Sequence, residues 1–249
     1  MKTMYSNFAK YYDALTNDVD YTARADYICS LFEKFGRKPT LLLDLACGSG
    51  GFSNEFAKRG ISVIGVDISE EMLCVAQEKS REKNLDVLYL CQPAQNLDLY
   101  GTVDGAVCLL DSLNHITDYN ELCEVFIKVS LFLEKDSLFI FDMNTPYKHE
   151  KILADNTFVI EEDNLYCVWQ NLYSQADRTT EITLDFFQEQ NGKYERTTES
   201  FCERAYTDEQ ITTALYSAGL KVEAVFGDMS ENSPKVEEER IFYVARKVE

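Results

Sequence analysis

The residues best suited to chemistry lie in Asp44-Leu45-Ala46-Cys47-Gly48-Ser49-Gly50-Gly51. Glycines in a turn let the backbone approach a ligand with no Cβ in the way. The apolar run LLLDLA (41–46) reads as a buried strand entering this turn, and a helix follows through Phe52 to Lys58. Asp67 ends the next apolar run, ISVIGVD (61–67), where its carboxylate can accept both hydroxyls of a ribose. Strand, glycine turn, helix, strand and acid, in that order, mark a nucleoside-binding α/β domain.

Two departures narrow the nucleoside. The dinucleotide fingerprint G-x-G-x-x-G needs glycine at position 53, where Ser53 stands. Asp44 sits at the end of its strand, where a carboxylate suits an ammonium group and poorly suits a pyrophosphate resting on the helix N-terminus. A phosphate-free, amine-bearing nucleoside satisfies both. A glycine turn that merely packs helix against strand is the competing reading, and Asp67 weighs against it.

LLLDLACGSG followed by VIGVDIS resembles the first two motifs of the class I S-adenosylmethionine-dependent methyltransferases. CQPAQNLDLYGTVDGAVCLLDSLNHI (91–116) is similar to the adenine-side and post-strand-four segments of small bacterial methyltransferases, and FAKYYDAL to their opening helix. The resemblance implies S-adenosylmethionine as cofactor. It assigns Asp44 to the methionine amino end, Ala46, Gly48 and Gly50 to the lining of the turn, and Asp67 to the ribose. Ile68 and Met72 would flank the adenine, with Ala94 and Gln95 on its far edge. Tyr12 falls where relatives place an aromatic near the cofactor, Arg24 could reach the cofactor carboxylate, and Leu110 would complete the contact. Pro93 stands where relatives often carry an aspartate facing the adenine amino group, so that contact is absent or passes to Gln92.

In a sheet of this class the strand of the glycine turn neighbours the fourth strand, and ligands bind where their connections part. That crevice brings Leu110-Asp111-Ser112-Leu113-Asn114-His115 to the cofactor turn. Methyl transfer is an in-line displacement helped chiefly by alignment, and a base is needed only when the acceptor must lose a proton. His115 is the candidate base, against the reading of a histidine packed at a helix start. Asp111 and Asn114 are candidates to orient an acceptor, against roles as turn or cap residues. The segment Phe201 to Tyr206 resembles one that lines the acceptor site in relatives, several of which carry histidine in place of Phe201. Phe201 cannot move a proton; Arg204 and Tyr206 are candidate substrate contacts, against ordinary cross-strand packing. His149 reads as loop.

The elements that must hold these residues follow from hydrophobic spacing. Two helical segments open the chain, the second (about Asp20 to Phe35) with Ile28, Leu31, Phe32 and Phe35 on one face. Strands are expected at 41–46, 61–67, 86–92, 103–110 and 137–143. Helices lie between them, one capped by Ser69 and one burying Leu122, Val125, Phe126 and Val129. From about Thr157 to Cys202 four strands follow without helices. Their links are Asp163-Asn164, Ser174 to Arg178, and Asn191-Gly192, the last a strong hairpin signal. Thr207 with Gln210 forms a capping box, and strands at 220–227 and 240–247 close the chain.

The expected fold is therefore α/β: a doubly wound, Rossmann-like seven-stranded sheet of order 3-2-1-4-5-7-6, its last strand antiparallel, with an inserted antiparallel β-sheet lid. Residues 1–145 and 205–249 would form the cofactor-binding domain and 146–204 the lid over the substrate.

The formal charge of −19, with 43 acidic against 24 basic residues, disfavours nucleic acid as partner and points to a small-molecule methyl acceptor. An RNA-modifying methyltransferase and a non-catalytic cofactor-binding protein are the alternatives to an enzyme methylating nitrogen or oxygen. No apolar run approaches the ~20 residues of a membrane span, and the opening lacks a secretory signal's apolar core. The eight cysteines have neither zinc-site nor disulfide spacing, so no metal is expected, most thiols should be buried and free, and the cytoplasm is the expected location. A homodimer is left open.

Overall fold

β1 (Leu41–Leu45) is a run of leucines broken by one aspartate, as a strand covered on both faces requires. The computed structural model describes residues 8–162 and 164–248; Asp163, in the first expected hairpin link, and Met1–Asn7, in the opening segment, lie outside them. β1 pairs in parallel with β2 (Ser62–Asp67) on one side and β4 (Val103–Cys108) on the other. β3 (Val87–Cys91) extends the sheet beyond β2, and β5 (Leu133–Asn144) beyond β4. β11 (Arg240–Lys247) runs antiparallel to β5 and to the edge strand β10 (Leu220–Gly227). Among the described residues the main sheet thus has seven strands in the order β10-β11-β5-β4-β1-β2-β3, the expected 3-2-1-4-5-7-6.

Alternation along the central strands sends successive side chains to two helical layers. Leu42, Val107, Ile140 and Phe242 pack with Ile28, Leu31 and Phe32 of α2 (Tyr21–Lys34) and Phe52 and Phe56 of α3 (Gly51–Lys58). Leu43, Phe139, Phe141 and Tyr243 pack with Leu122, Val125 and Phe126 of α5 (Tyr119–Phe132) and Ile211 and Leu215 of α6 (Asp208–Ser217). Phe141 and Tyr243 stack at 4.9 Å across the β5–β11 pair. Each buried ring contributes about 1.5–3 kcal/mol, so the strands carrying the crevice are fixed from both sides.

Local signals set the helix starts. Ser69 Oγ accepts the Met72 N–H at 3.2 Å, with Glu70 and Glu71 in the positive first turn of α4 (Glu70–Glu82). Thr207 and Gln210 form the expected capping box on α6.

The helix-free stretch folds into a second sheet of order β6-β7-β8-β9: Thr157–Glu162, Leu165–Ser174, Thr179–Gln190 and Lys193–Arg204, all antiparallel. Asn191 and Gly192 turn the last hairpin with φ of 53° and 74°, both left-handed. Its inner face, Cys167, Ile182, Leu184 and Phe186, packs on Ala9 and Tyr11 of α1 (Phe8–Leu15) and on Met72. Tyr11 stacks on Phe186 at 4.6 Å and donates to Gln188 Oε1 at 3.1 Å. The inserted sheet is therefore fastened, through α1, to the side of the main sheet that bears the glycine turn.

All eight cysteines are free, but only Cys47, Cys108 and Cys167 are buried, while Cys74, Cys91 and Cys202 are exposed. The expectation that most are buried is corrected: a thiol in an apolar strand of alternating exposure has an even chance of facing out.

Candidate active site

The turn after β1 is built from left-handed residues. Ala46, Gly48 and Gly50 have φ of 56°, 52° and 76°. A Cβ at Gly50 would fall 2.9 Å from Ala76 Cβ and meet the Tyr89 hydroxyl, and one at Gly51 would enter the Tyr21 ring. A Cβ at Gly48 would meet only the edge of Tyr12, at 3.8 Å. Gly50 and Gly51 thus serve the packing of the turn, and Gly48 forms the floor under Tyr12.

Ser53, the residue that breaks the dinucleotide fingerprint, donates its hydroxyl to Asp44 Oδ2 at 2.5 Å. Asp44 is 2% exposed, and among the described residues it pairs with no cation. Burial pushes its carboxyl up to about 7, and the charge of Asp67 adds to the rise. Asp67 accepts the Gly48 N–H at 2.8 Å and the Ser69 N–H at 2.9 Å, one on each oxygen; burial outweighs these bonds and raises its carboxyl as well. Asp44, Ala46, Cys47, Tyr12, Tyr21 and Leu110 face a common cleft.

α1 is fixed over this cleft. Ser49 Oγ donates to Asp13 at 2.8 Å, and Lys79 reaches both Asp13 (2.6 Å) and Ser49 (2.9 Å). Arg24 lines an adjoining cleft that shares Phe52, Leu109 and Leu110 with the first, and its guanidinium is held by Asp228 in two bonds of 2.9 and 3.2 Å. On the expected adenine side Ile68 is exposed and Met72 buried, and Ala94 and Gln95 lie in a short 3-10 turn beyond β3. Gln92 exchanges two bonds with the Asp98 backbone, so its amide is not free to replace the aspartate that Pro93 lacks.

Beyond β4, Leu110 and Asp111 both adopt positive φ, 56° and 51°, a conformation L residues other than Asn and Asp seldom take. It aims Asp111 at a buried network that spacing alone did not reveal. Arg240 of β11 binds Asp111 at 2.6 Å and also Asp142 of β5. Asn144 Nδ2 donates to Asp111 at 2.8 Å and lies 3.4 Å from Glu203. Arg240 holds the Asp111 carboxyl well below its ordinary range, whereas burial and repulsion from Asp111 push Asp142 up.

Asn114 is fully buried, bonding the Arg204 carbonyl at 2.9 Å and both backbone groups of Asn144. It ties the end of the inserted sheet to the segment after β4. Arg204 donates to the Thr117 carbonyl at 2.8 Å with its guanidinium over the Tyr206 ring, and the Tyr206 hydroxyl donates to the Ile116 carbonyl. Both expected substrate contacts therefore hold this segment in place.

His115 stands in this corner with its side chain 29% exposed, its ring 5.0 Å from Phe201, and Nε2 3.7 Å from Glu203. Burial lowers its imidazole, and Asp111 partly offsets that. Asp111, His115 and Glu203 bring ligand-type atoms within 4.8 Å of one another, a grouping the chain positions concealed. His149, expected in a loop, is instead fully buried in a π-helical turn (Lys148–Leu153) with Nδ1 2.8 Å from the Thr180 hydroxyl. The neighbouring sheet supplies a polar partner that local sequence does not show. Glu203 and Arg240 were likewise missed. Period-two alternation from Phe201 was the available signal for an inward Glu203.

A family model described as a methyltransferase domain matches residues 42–133. A protein named for methyltransferase activity in Geobacillus sp. (strain WCH70) is 30% identical over 245 residues, covering 98% of this chain and 99% of its own length. The crystal structure of an S-adenosylmethionine-dependent methyltransferase from Clostridium acetobutylicum is similar with a TM-score of 0.89 and 31% identity, covering 98% of this chain and 99% of that one. At 17% identity, the S-adenosylmethionine-bound amino pentose methyltransferase of Micromonospora echinaspora shares the fold over the whole of both chains, with a TM-score of 0.77.

Proposed function

This chain belongs to the S-adenosylmethionine-dependent methyltransferases, and from that premise we propose that it methylates a nitrogen or oxygen atom of a small molecule held between the glycine turn and the inserted sheet. The residues fit the cofactor. A buried carboxylate without a cation partner, Asp44, complements an ammonium group, and the floor at Gly48 carries no Cβ. Asp67 accepts from the backbone on both oxygens and has acceptor capacity left for ribose hydroxyls. When bound, the cofactor supplies a methyl carbon on a sulfonium, open to in-line displacement.

In this reading Ala46, Gly48, Gly50 and Leu110 shape the cofactor side, Tyr12 covers it, Ile68, Met72, Ala94 and Gln95 border the adenine, and Arg24 is a contact only if it leaves Asp228. Asp111 and Asn114 set the crevice wall through their networks, and His115 is the candidate base beside them. Arg204 and Tyr206 act by fixing residues 116–117. Residues 1–145 and 205–249 are the cofactor domain, and 146–204 the substrate lid.

The observation that carries the small-molecule reading is the seating of the inserted sheet. Phe186 and Cys167 pack on α1 and Met72, while Phe201 and Arg204 meet the segment after β4. The crevice is roofed at both ends. An acidic surface of −19 opposes a polyanionic substrate. No helix among the described residues is long and apolar enough to cross a membrane. Free cysteines support a reducing, cytoplasmic setting.

The test is release of the demethylated cofactor against a panel of small amines and alcohols and, separately, against bulk RNA. Turnover with a small molecule is expected. Turnover with RNA alone overturns the reading.

A further inference from the structure

Glu203 is a carboxyl at the end of β9, 4% exposed, with an imidazole beside each oxygen. His115 Nε2 stands 3.7 Å from Oε1, and His149 Nε2 stands 3.8 Å from Oε2. His149 Nε2 is buried with no hydrogen-bond partner among the described residues. The side-chain exposures fall in order from the crevice inward: 29% for His115, 5% for Glu203 and 0% for His149. The side-chain donor to Glu203 is Asn144 Nδ2 at 3.4 Å, a long bond for so deeply buried a carboxyl. We propose that Glu203 is the store for the proton that the methyl acceptor gives up, received through His115, so that the acceptor class is one whose attacking atom carries a proton: a hydroxyl or a protonated amine.

The step balances as follows. The acceptor heteroatom forms its bond to the methyl carbon as the carbon–sulfur bond breaks, with that electron pair going to sulfur, which leaves as a neutral thioether. The heteroatom keeps the electrons of its bond to hydrogen, and the proton goes to the imidazole of neutral His115. Nε2 of His115 releases its proton to the Glu203 carboxylate, which ends as a neutral acid. The His115–Glu203 gap of 3.7 Å is slightly beyond hydrogen-bond length, as is common before substrate tightens such a pair.

The groups facing Glu203 fix the pH at which this works. Asn144 of β5 reaches the same oxygen as His149 at 3.4 Å. Asp111, from the turn after β4, opposes ionisation; Lys148, from the π-helical turn, and Arg240, from β11, favour it. Burial dominates and pushes the carboxyl up to about 8. An ordinary glutamate is too weak a base for an alcohol or ammonium proton; one in this position is far better matched.

The inference rests on the small-molecule reading above, yet its first test needs no acceptor. The chain has two histidines, so the imidazole spectrum holds two sets of signals. With 15N-labelled histidine, the His115 signals should show an inflection near pH 8 as Glu203 ionises, and Glu203→Gln should remove it while binding of S-adenosylmethionine persists. A wild-type titration without that inflection overturns the proposal, whether or not the variant folds. Mn2+ should leave both signals sharp; selective broadening of His115 would make the cluster a cation site and overturn the proton role.

With a panel-derived acceptor, kcat should fall about tenfold per pH unit below 8, and Glu203→Gln should lower kcat about 100-fold with KM for the cofactor unchanged. A Glu203→Gln enzyme with wild-type kcat and pH profile overturns the proposal. An inflection present but no turnover with any small molecule would count against the acceptor reading instead.

Discussion

The carboxylate of Asp67 accepts the backbone N–H of Gly48 at 2.8 Å, so the acid that ends β2 also braces the turn that ends β1. In the proposed reading this side chain has two tasks: holding the floor of the cleft and presenting its remaining acceptor capacity to a ribose. Asp67→Ala removes both. Each charge-assisted bond contributes about 1.5–3 kcal/mol, so the dissociation constant for S-adenosylmethionine should rise about 10- to 100-fold. Asp67→Asn, able to keep one acceptor oxygen, should lose less. Calorimetric titration of both variants checks this, and an unchanged affinity in Asp67→Ala removes the ribose assignment.

In the proposed reading Asp44 should make cofactor binding pH-dependent. Its carboxyl is pushed up to about 7 by burial, and an ammonium group favours its ionised form. Binding must then expel a proton whenever the free protein holds one. Apparent affinity should weaken on acidification, by about tenfold at pH 6, and weaken again above pH 8, where an α-amino group loses its own proton. For folding the sign is opposite. A raised carboxyl in the native state contributes stability that is fully present below its unfolded value and is lost as pH rises through about 7. Calorimetry at pH 6, 7 and 8 reads the first effect, and Asp44→Asn should abolish the loss on the acid side.

The sequence made the frame legible because its signals are local. Alternating strands and helices, the cap at Ser69, the box at Thr207 and Gln210, and the Asn191-Gly192 turn each depend on residues a few positions apart. The glycine turn and Asp67 were legible for the same reason. The network around Asp111 was not, because Asp142, Glu203 and Arg240 come from three different strands. In a single sequence, each charged residue in a strand reads as part of the solvent face. Ser53 shows the limit from the other side: its identity excluded one cofactor class, but its bond to Asp44 could be known only from the fold.

Gly51 should tolerate no side chain. An alanine Cβ there enters the Tyr21 ring, which also packs edge-on against Phe52 at 4.9 Å. Alanine at a helix start gains up to about 1 kcal/mol of propensity over glycine, and overpacking costs about 1–3 kcal/mol. The net effect is destabilising, with the Tm of Gly51→Ala falling by a few degrees. Adding Tyr21→Ala removes the obstacle, so Gly51→Ala should cost less in that background. Thermal denaturation of the four proteins of this cycle tests the contact, and equal costs in both backgrounds would assign the loss to the backbone alone.

Arg240 offers the sharpest stability test, because it is the shared cation of a buried acid, Asp142, and a partly buried one, Asp111. Replacing it with methionine keeps much of the side-chain volume but leaves Asp111 and Asp142 without the cation that bridges them. Removing one partner of a buried ion pair costs about 3–5 kcal/mol. The pH dependence identifies the cause. In the native protein Arg240 depresses the Asp111 carboxyl, so its contribution is present above the ordinary carboxylate range and is lost only as pH falls through the depressed value. In Arg240→Met the two carboxyls must instead rise, and protonating them relieves the repulsion. The deficit relative to wild type should be largest near pH 7 and shrink toward pH 5. Urea unfolding at both values measures it; a deficit independent of pH would mean that lost packing around the arginine stem, rather than the stranded charges, accounts for the cost.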